Sequence, residues 1–382
     1  LSLLSHRFQV QELNENRLSS IIHNKKNNRI NYLDLTISNP TQLNLSIEIN
    51  SLLTKLDRID YNPNPRGDKE SIESLIRFYN KKGRILSEKE IFFTTGSSES
   101  LSRILSLFFN KDDILLLPKP GYPLYDYILN FHDINYNHFE FELIKKNNKS
   151  KWKLNKDSLN FTQNTKAILI VQPNNPAGFI LQEEDADYIS DLAYKNNSLI
   201  IIDEVFSDYY TNYYTYHFFK KNNCIYLGGL SKTAALPQLK LSWMLFKGDT
   251  HFIQESGLAM EFLLDSYLSV NTLSLKLLPL VLETIEERIS LIQNRINANL
   301  DLLQNQLNLN SLIPEGGWYI PIELPEDLDD EDFSCKLLEE ENVLVQPGYF
   351  FDLKNNFIVL SLLSDINVLK EGINRMNRFI KK

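Results

Sequence analysis

The chain reads as an α/β protein: a large domain built on a mostly parallel sheet, joined to a second, smaller α/β domain. Three observations carry that reading. Four short apolar runs, Ile114–Leu117, Ala167–Val171, Leu199–Ile202 and Cys224–Leu227, are continuous rather than alternating, as strands buried on both faces must be. Asn175, Asp203 and Lys232 follow the last three of these runs at intervals of 28 and 29 residues. That is the length of one helix plus one strand, so all three side chains converge on one edge of the sheet, where open α/β folds bind ligands. Finally, Ile285, Ile289, Ile292, Ile296, Leu300, Leu303 and Leu307 recur every three or four residues, the rhythm of a long amphipathic helix. Such a helix would join the large domain, residues 46–284, to the small one, residues 285–382, with residues 1–45 as an arm and part of the small domain.

Composition bounds the function. At 382 residues, 43% hydrophobic and 23% charged, the chain can bury one large core and a smaller one. A formal charge of −9 argues against nucleic acid or an anionic membrane as the main partner. No apolar run approaches the roughly 20 residues of a spanning helix, and LSLLSHRFQV has too short an apolar run before His6 and Arg7 for a signal peptide. The two cysteines, Cys224 and Cys335, have neither disulfide-framework nor metal-ligand spacing. They read as small buried hydrophobes, no metal is expected, and the expected address is the cytoplasm.

In chain order, Leu13, Leu18, Ile21 and Ile22 suit a short helix packed on another element. Tyr32 to Thr41 reads as an alternating strand ending in a Ser-Asn-Pro turn. Tyr61 to Gly67 is a loop punctuated by two prolines and a glycine, and the spacing of Ile72, Leu75, Ile76 and Tyr79 predicts a helix after it. Ile91 to Thr95 forms a strand, Gly96 a turn, and Ser97 and Ser98 open the next helix. A helix start of this kind presents free N–H groups and a positive dipole end to a phosphate, although serine there also caps helices. After the strand at Ile114 comes PKPGYPLY with Tyr122. A polar stretch, Lys145 to Lys156, leads to the strand at Ala167, which runs into the turn QPNNPAG carrying Asn175. A further helix leads to Leu199–Asp203, where a buried carboxylate needs a charged partner. Beyond Trp243 the chain turns helical.

The centre of this arrangement is Gly228 to Trp243, GGLSKTAALPQLKLSW. Lys232 leaves the end of a buried strand. A lysine with a free pKa of about 10.4 becomes a usable nucleophile when burial and a neighbouring cation depress that value, and Lys240 is such a cation. A phosphate-binding P-loop is excluded, because Ser231 stands where that motif needs glycine before the lysine.

The segment S-K-T followed by L-P-Q-L-K-L-S-W resembles the cofactor-lysine segment of the class I and II aminotransferases, enzymes of fold type I that use pyridoxal 5'-phosphate. The resemblance implies a three-layer large domain and carries roles residue by residue. Lys232 would bear the cofactor as an aldimine, and Lys240 would grip its phosphate together with Gly96, Ser97 and Ser98, where Ser100 replaces the family's alanine. Tyr122 would stack on the pyridine ring, Asn175 would hydrogen-bond the phenolic oxygen, and Asp203 would pair with the protonated ring nitrogen. Tyr61, in a loop like the family's tyrosine, proline and glycine loop, would reach the phosphate in the neighbouring subunit of a homodimer. GGWY and the later P-G-Y-F-F, at Gly316 and Pro347, resemble C-terminal segments of the same family.

Two departures matter. The family's tyrosine three residues after the aspartate is here Phe206, which offers no hydroxyl. Its usual carboxylate-binding arginine falls at Val359, and no arginine lies between Trp318 and Asn374. Arg66, Asn39 and Lys119 are the candidate substitutes. The resemblance implies transfer of an amino group between an amino acid and a 2-oxo acid. A decarboxylase or β-eliminating lyase on the same fold, or a non-catalytic sensor, would keep part of the pattern.

Overall fold

The structure is a computed structural model that describes residues 3–8, 15–43, 45, 49–56, 58–146, 149–209, 219–268, 270–354 and 356–381. The chain begins with α1 (Arg17–Asn27), a short strand β1 (Leu33–Asp34), α2 (Ile49–Leu53) and α3 (Lys69–Lys81). Strands and helices then alternate: β2 (Ile91–Thr94), α4 (Ser97–Phe108), β3 (Ile114–Lys119), α5 (Leu124–His132), the hairpin β4 (Asn135–Lys146) and β5 (Lys149–Leu154), β6 (Thr165–Val171), α6 (Glu183–Lys195), β7 (Leu199–Asp203) and β8 (Cys224–Gly229). The single-turn helix α7 (Leu230–Thr233), β9 (Ser242–Lys247), α8 (Thr250–Ser266), α9 (Thr272–Glu283) and α10 (Ile285–Gln306) follow. The C-terminal part contains β10 (Asn310–Ser311), β11 (Tyr319–Glu323), α11 (Asp330–Glu341), β12 (Val343–Leu344), β13 (Gln346–Pro347), β14 (Phe357–Ser361) and α12 (Ile366–Ile380).

Among the described residues the large sheet has eight strands in the order β2-β9-β8-β7-β6-β3-β4-β5. Its centre, from β8 to β4, is parallel, and β9 and β5 run against their neighbours. The continuous apolar runs have the predicted cause. Ile168, Ile170, Ile200 and Ile202 face one core with α3, α6 and α9, while Ala167, Leu169, Leu199 and Ile201 face the other with α4, α5 and α8. Each residue is buried whichever way it points. Ile201 has no exposed surface, and its truncation to alanine would cost about 2–5 kcal/mol.

The smaller sheet is antiparallel, β10-β11-β14-β13, with β1 paired to β12 beside it. Helix α10 starts in the large-sheet core with Ile285 and ends in the small-sheet core with Ile292, Ile296 and Leu303, so it joins the two as its rhythm predicts. Helix α1 packs Leu18, Ile21 and Ile22 on Cys335, Leu338 and Leu344. Leu13 lies outside the described residues.

The structure revises four sequence expectations. The polar stretch Lys145–Lys156 is mostly strand: β5 pairs with the second half of β4, from Phe141 opposite Leu154 to Lys146 opposite Lys149. Trp152 turns inward to stack on Phe179, with centroids 5.7 Å apart. The lysines that made the stretch look like a loop are the charges a sheet edge carries against further pairing. The strand expected from Tyr32 to Thr41 is only two residues long, because Asp34 turns back to accept hydrogen bonds from the Thr36 N–H and hydroxyl. Beyond Trp243 the strand β9 continues to Lys247 before the helices begin. Gly228 and Gly229 belong to β8 itself. A Cβ at either would lie 2.4 Å from Trp243 Nε1 or 2.2 Å from Ser242 Oγ, so these glycines serve close packing against β9.

Candidate active site

Five strand ends deliver the site. Strand β8 hands the chain to α7, and Lys232 extends from that single turn. Its ammonium lies 5.0 Å from the centre of the Trp318 ring and 5.4 Å from that of Phe206. Burial between these rings pulls the amine down to about 8, while the Asp203 carboxylate opposes the shift. Asp203 stands at the C-terminal end of β7. Its Oδ2 accepts from the Tyr125 hydroxyl at 2.7 Å and its Oδ1 from the Val205 N–H at 3.2 Å. Burial pushes this carboxyl upward, and the two hydrogen bonds and Lys232 hold it back. A buried acid and a buried amine thus bear on each other's charge, which is the pattern of a proton-handling site.

Strand β6 ends in the turn that carries Asn175. Neighbouring Asn174 pins this turn, donating to the Pro120 carbonyl at 2.9 Å and accepting from the Ala177 N–H at 3.1 Å. Gly178 closes it at φ 68°, where a Cβ would lie 2.3 Å from Pro314. Asn175 is left buried, its Oδ1 without a partner among the described residues. Its amide oxygen and nitrogen can exchange places by rotation of the side chain. A buried amide of this kind needs a polar partner.

Strand β2 leads to α4, and here the serine-capping alternative does not hold. The N-cap is Gly96, in extended conformation and with no side chain to satisfy the first turn. The N–H groups at Ser97 and Ser98 are therefore available to an anion. The hydroxyl of Ser100, in the place of the family's alanine, is paired with that of Thr94 at 2.7 Å. Lys240 brings its ammonium to 3.7 Å from where a Gly96 Cβ would sit. It does so from φ 48°, a left-handed conformation that costs a non-glycine residue about 1–3 kcal/mol and is concentrated at functional sites.

Tyr122, beyond β3, sets its ring edge-on to Tyr125 with centroids 5.7 Å apart. Tyr125 is the functional residue that sequence reasoning missed. The signal was its position three residues after Tyr122, which places the pair on one face of a helix start.

Phe206 packs edge-on against Trp318 at 5.1 Å and Tyr319 at 6.0 Å. Tyr209 does not replace the missing hydroxyl: it donates to the backbone carbonyl of Lys232 at 2.8 Å and lies 3.3 Å from that of Thr233. Tyr210 lies outside the described residues. Val359 is fully buried in an apolar cluster with Leu312 and Phe357. Of the candidate carboxylate anchors, Arg66 already has partners of its own. Its guanidinium is committed to Glu261 at 2.6 Å and to the carbonyls of Lys89 and Gly257, and it stacks over Phe92. Asn39 Oδ1 accepts from Thr41 within its own turn, and Lys119 pairs with Asp352 at 3.1 Å. Tyr61 is not drawn into the site and stands 67% exposed on its loop.

Together these groups fit pyridoxal 5'-phosphate. The uncapped helix start and Lys240 would hold the phosphate, Asp203 the ring nitrogen, the orphaned Asn175 amide the phenolic oxygen, and Lys232 the aldehyde carbon.

The family described as aminotransferase class I and II matches residues 32–374. Nicotianamine aminotransferase 1 of Oryza sativa subsp. japonica is 28% identical over 321 residues, which are 78% of this chain and 63% of that protein. The chain thus spans under two thirds of that relative's length. Tyrosine aminotransferase of Dictyostelium discoideum is 27% identical over 381 residues, covering 93% of this chain and 90% of that one. Among solved structures, alanine aminotransferase from Pyrococcus furiosus superposes with a TM-score of 0.86 at 20% identity over 99% of both chains, which shows a shared fold.

Proposed function

We propose that this chain, which belongs to the class I and II aminotransferase family, is a pyridoxal-phosphate-dependent aminotransferase that moves an amino group between an amino acid and a 2-oxo acid. The observation that supports it most is Lys232: an amine brought to about 8 by burial and set beside a buried carboxylate. The cofactor, when bound, supplies an electron sink for a substrate that loses its Cα proton. The protein's part is to hold and move that proton. With its amine brought to about 8, about a tenth of Lys232 is unprotonated at pH 7, so it can take the proton from substrate Cα and return it, as a general base and acid whose pKa lies near the working pH. Asp203, kept ionised by Tyr125 and the Val205 N–H, supplies the fixed negative charge opposite the ring nitrogen. Phe206 and Trp318 form an aromatic wall on Lys232 and keep water from the amine.

The active unit in this reading is a homodimer in which Tyr61 of each chain serves the other's phosphate. The exposure of Tyr61 on its loop supports it, and a fully active monomer in sedimentation at low concentration would remove it. Residues 46–284 then form the cofactor-binding domain, with residues 1–45 and 285–382 supplying the arm and the small domain. Among the described residues no helix is long and apolar enough to cross a membrane. A reducing cytoplasm suits Cys224 and Cys335, both buried and free.

The test is a half-reaction. Protein loaded with pyridoxal phosphate is mixed with tyrosine, alanine or aspartate, and the cofactor's visible band is followed. Loss of the band with release of a 2-oxo acid, and its return on adding a 2-oxo acid, are expected. Release of carbon dioxide from the donor, or no change with any donor, would overturn the proposal.

A further inference from the structure

We propose that Arg84 and Lys82 are positioning residues for this site, a two-point ionic clamp on the turn Glu204–Asp208 that fixes Asp203 and Phe206 in place. The proposal rests on the aminotransferase reading only for what the clamped residues do, since the clamp itself is a matter of geometry.

Strand β7 ends with Asp203 directed to Tyr125 and the next residue, Glu204, directed to the opposite face. There Glu204 meets Arg84 in a bidentate pair at 2.7 and 2.9 Å, with side chains 5% and 3% exposed. Arg84 lies over the Tyr226 ring at 4.2 Å and the Tyr79 ring at 5.2 Å. Four residues on, the buried Asp208 pairs with Lys82, whose ammonium sits 4.1 Å over Phe78. Both bases lie just past the C-terminal end of α3, Lys82 at its C-cap and Arg84 two residues on with its N–H donating to the Tyr79 carbonyl at 3.0 Å, so the turn that closes one helix holds both acids. Between the acids the turn is closed by the Ser207 N–H donating to the Glu204 carbonyl at 2.8 Å, and the Tyr209 N–H donates to the Phe206 carbonyl at 3.1 Å. Phe206, midway, is thereby aimed at Trp318 and the Lys232 ammonium.

Burying two ion pairs is a poor way to gain stability, because the desolvation cost offsets the attraction. It is an effective way to fix a position: a bidentate arginine and carboxylate pair tolerates little displacement, and site residues hold their geometry through supporting side chains of this kind. Loosening the clamp would let Asp203 and Phe206 move relative to Lys232 and change the proton affinity of the Lys232-bound cofactor chromophore.

Removing Arg84 alone would leave a buried, uncompensated Glu204 and endanger folding, so the test uses Lys82→Met and the paired Arg84→Met with Glu204→Leu. Two readouts are taken: hydrogen exchange of the amides of residues 203–209 in cofactor-free protein, and the pH midpoint of the cofactor absorbance in loaded protein. In both variants the amides of 203–209 should exchange at least about tenfold faster while those of β3 and β6 stay unchanged, and the midpoint should move by about half a pH unit or more. The charge swap Lys82→Asp with Asp208→Lys should bring both back. Unchanged exchange in the turn, or acceleration spread evenly over the whole sheet, would overturn the clamp. A normal midpoint in spite of a loosened turn would overturn its role in positioning. The exchange measurement needs no cofactor, so a wild-type protein that forms no chromophore would sink the aminotransferase reading and leave the clamp to be decided by exchange alone.

Discussion

Replacing Lys232 by methionine should change how the stability of the cofactor-free protein depends on pH. The amine is held at about 8 in the folded chain, against about 10.4 in an unfolded one. Below pH 8 it is charged in both states, and the folded state carries the full cost of burying that charge. Between pH 8 and 10.4 the unfolded chain binds more protons at this position than the folded one, and under that condition stability rises with pH. A difference of about 2.4 units at about 1.36 kcal/mol each makes the full cost about 3.3 kcal/mol. At pH 10 part of it remains, so the relief from pH 7 to pH 10 is about 2.5 kcal/mol. All other titrating groups are common to wild type and Lys232→Met, and they cancel when the two are compared. Urea unfolding at pH 7 and pH 10 should therefore show wild type gaining about 2.5 kcal/mol relative to the variant. Parallel pH profiles for the two proteins would refute the argument and place the amine in solvent with an ordinary pKa.

Further outcomes follow from other residues. In loaded protein, Phe206→Tyr should lower the pKa of the Lys232-bound chromophore by about one to two units, the worth of one hydrogen bond to a charged group; coincident spectrophotometric titrations would mean that the added hydroxyl does not reach the cofactor. Arg288 is buried on α10 with Nε and Nη1 lacking partners among the described residues, and burial pulls its guanidinium down to about 10. Arg288→Met should stabilise the protein by about 1 kcal/mol or more in urea unfolding, and a loss of stability would show that the charge is compensated. Gly178→Ala would force a Cβ against Pro314 at φ 68° and should lower the melting temperature by several degrees; an unchanged value would mean that the turn carrying Asn175 is not tightly packed.

The large sheet was legible because its central strands are apolar on both faces and so read as continuous runs. Lys232, Asp203 and Asn175 could be placed together from spacing alone, since one helix plus one strand returns the chain to the same edge. The hairpin β4–β5 was not legible, because an edge strand needs only one apolar face and its lysines imitate a loop. The helix start at Gly96 was legible as a turn and a helix, but not as uncapped, since two serines follow and only geometry shows that the cap position falls on the glycine. Arg84 and Glu204 are 120 residues apart, and no local pattern announces that two such charges will be buried against each other. The ion pair of Arg66 was illegible for a related reason. An arginine after two prolines on a loop looks free, but α8 packs beside it and supplies Glu261.

The central claim is that Lys232 is the lysine that carries the cofactor. It is tested most directly by incubating the protein with pyridoxal phosphate, reducing with borohydride and mapping the modified peptide. The label should fall on Lys232 and disappear in Lys232→Ala while the protein stays folded. A label on Lys240 or on any other lysine, or no reducible adduct at all, would contradict the site described here.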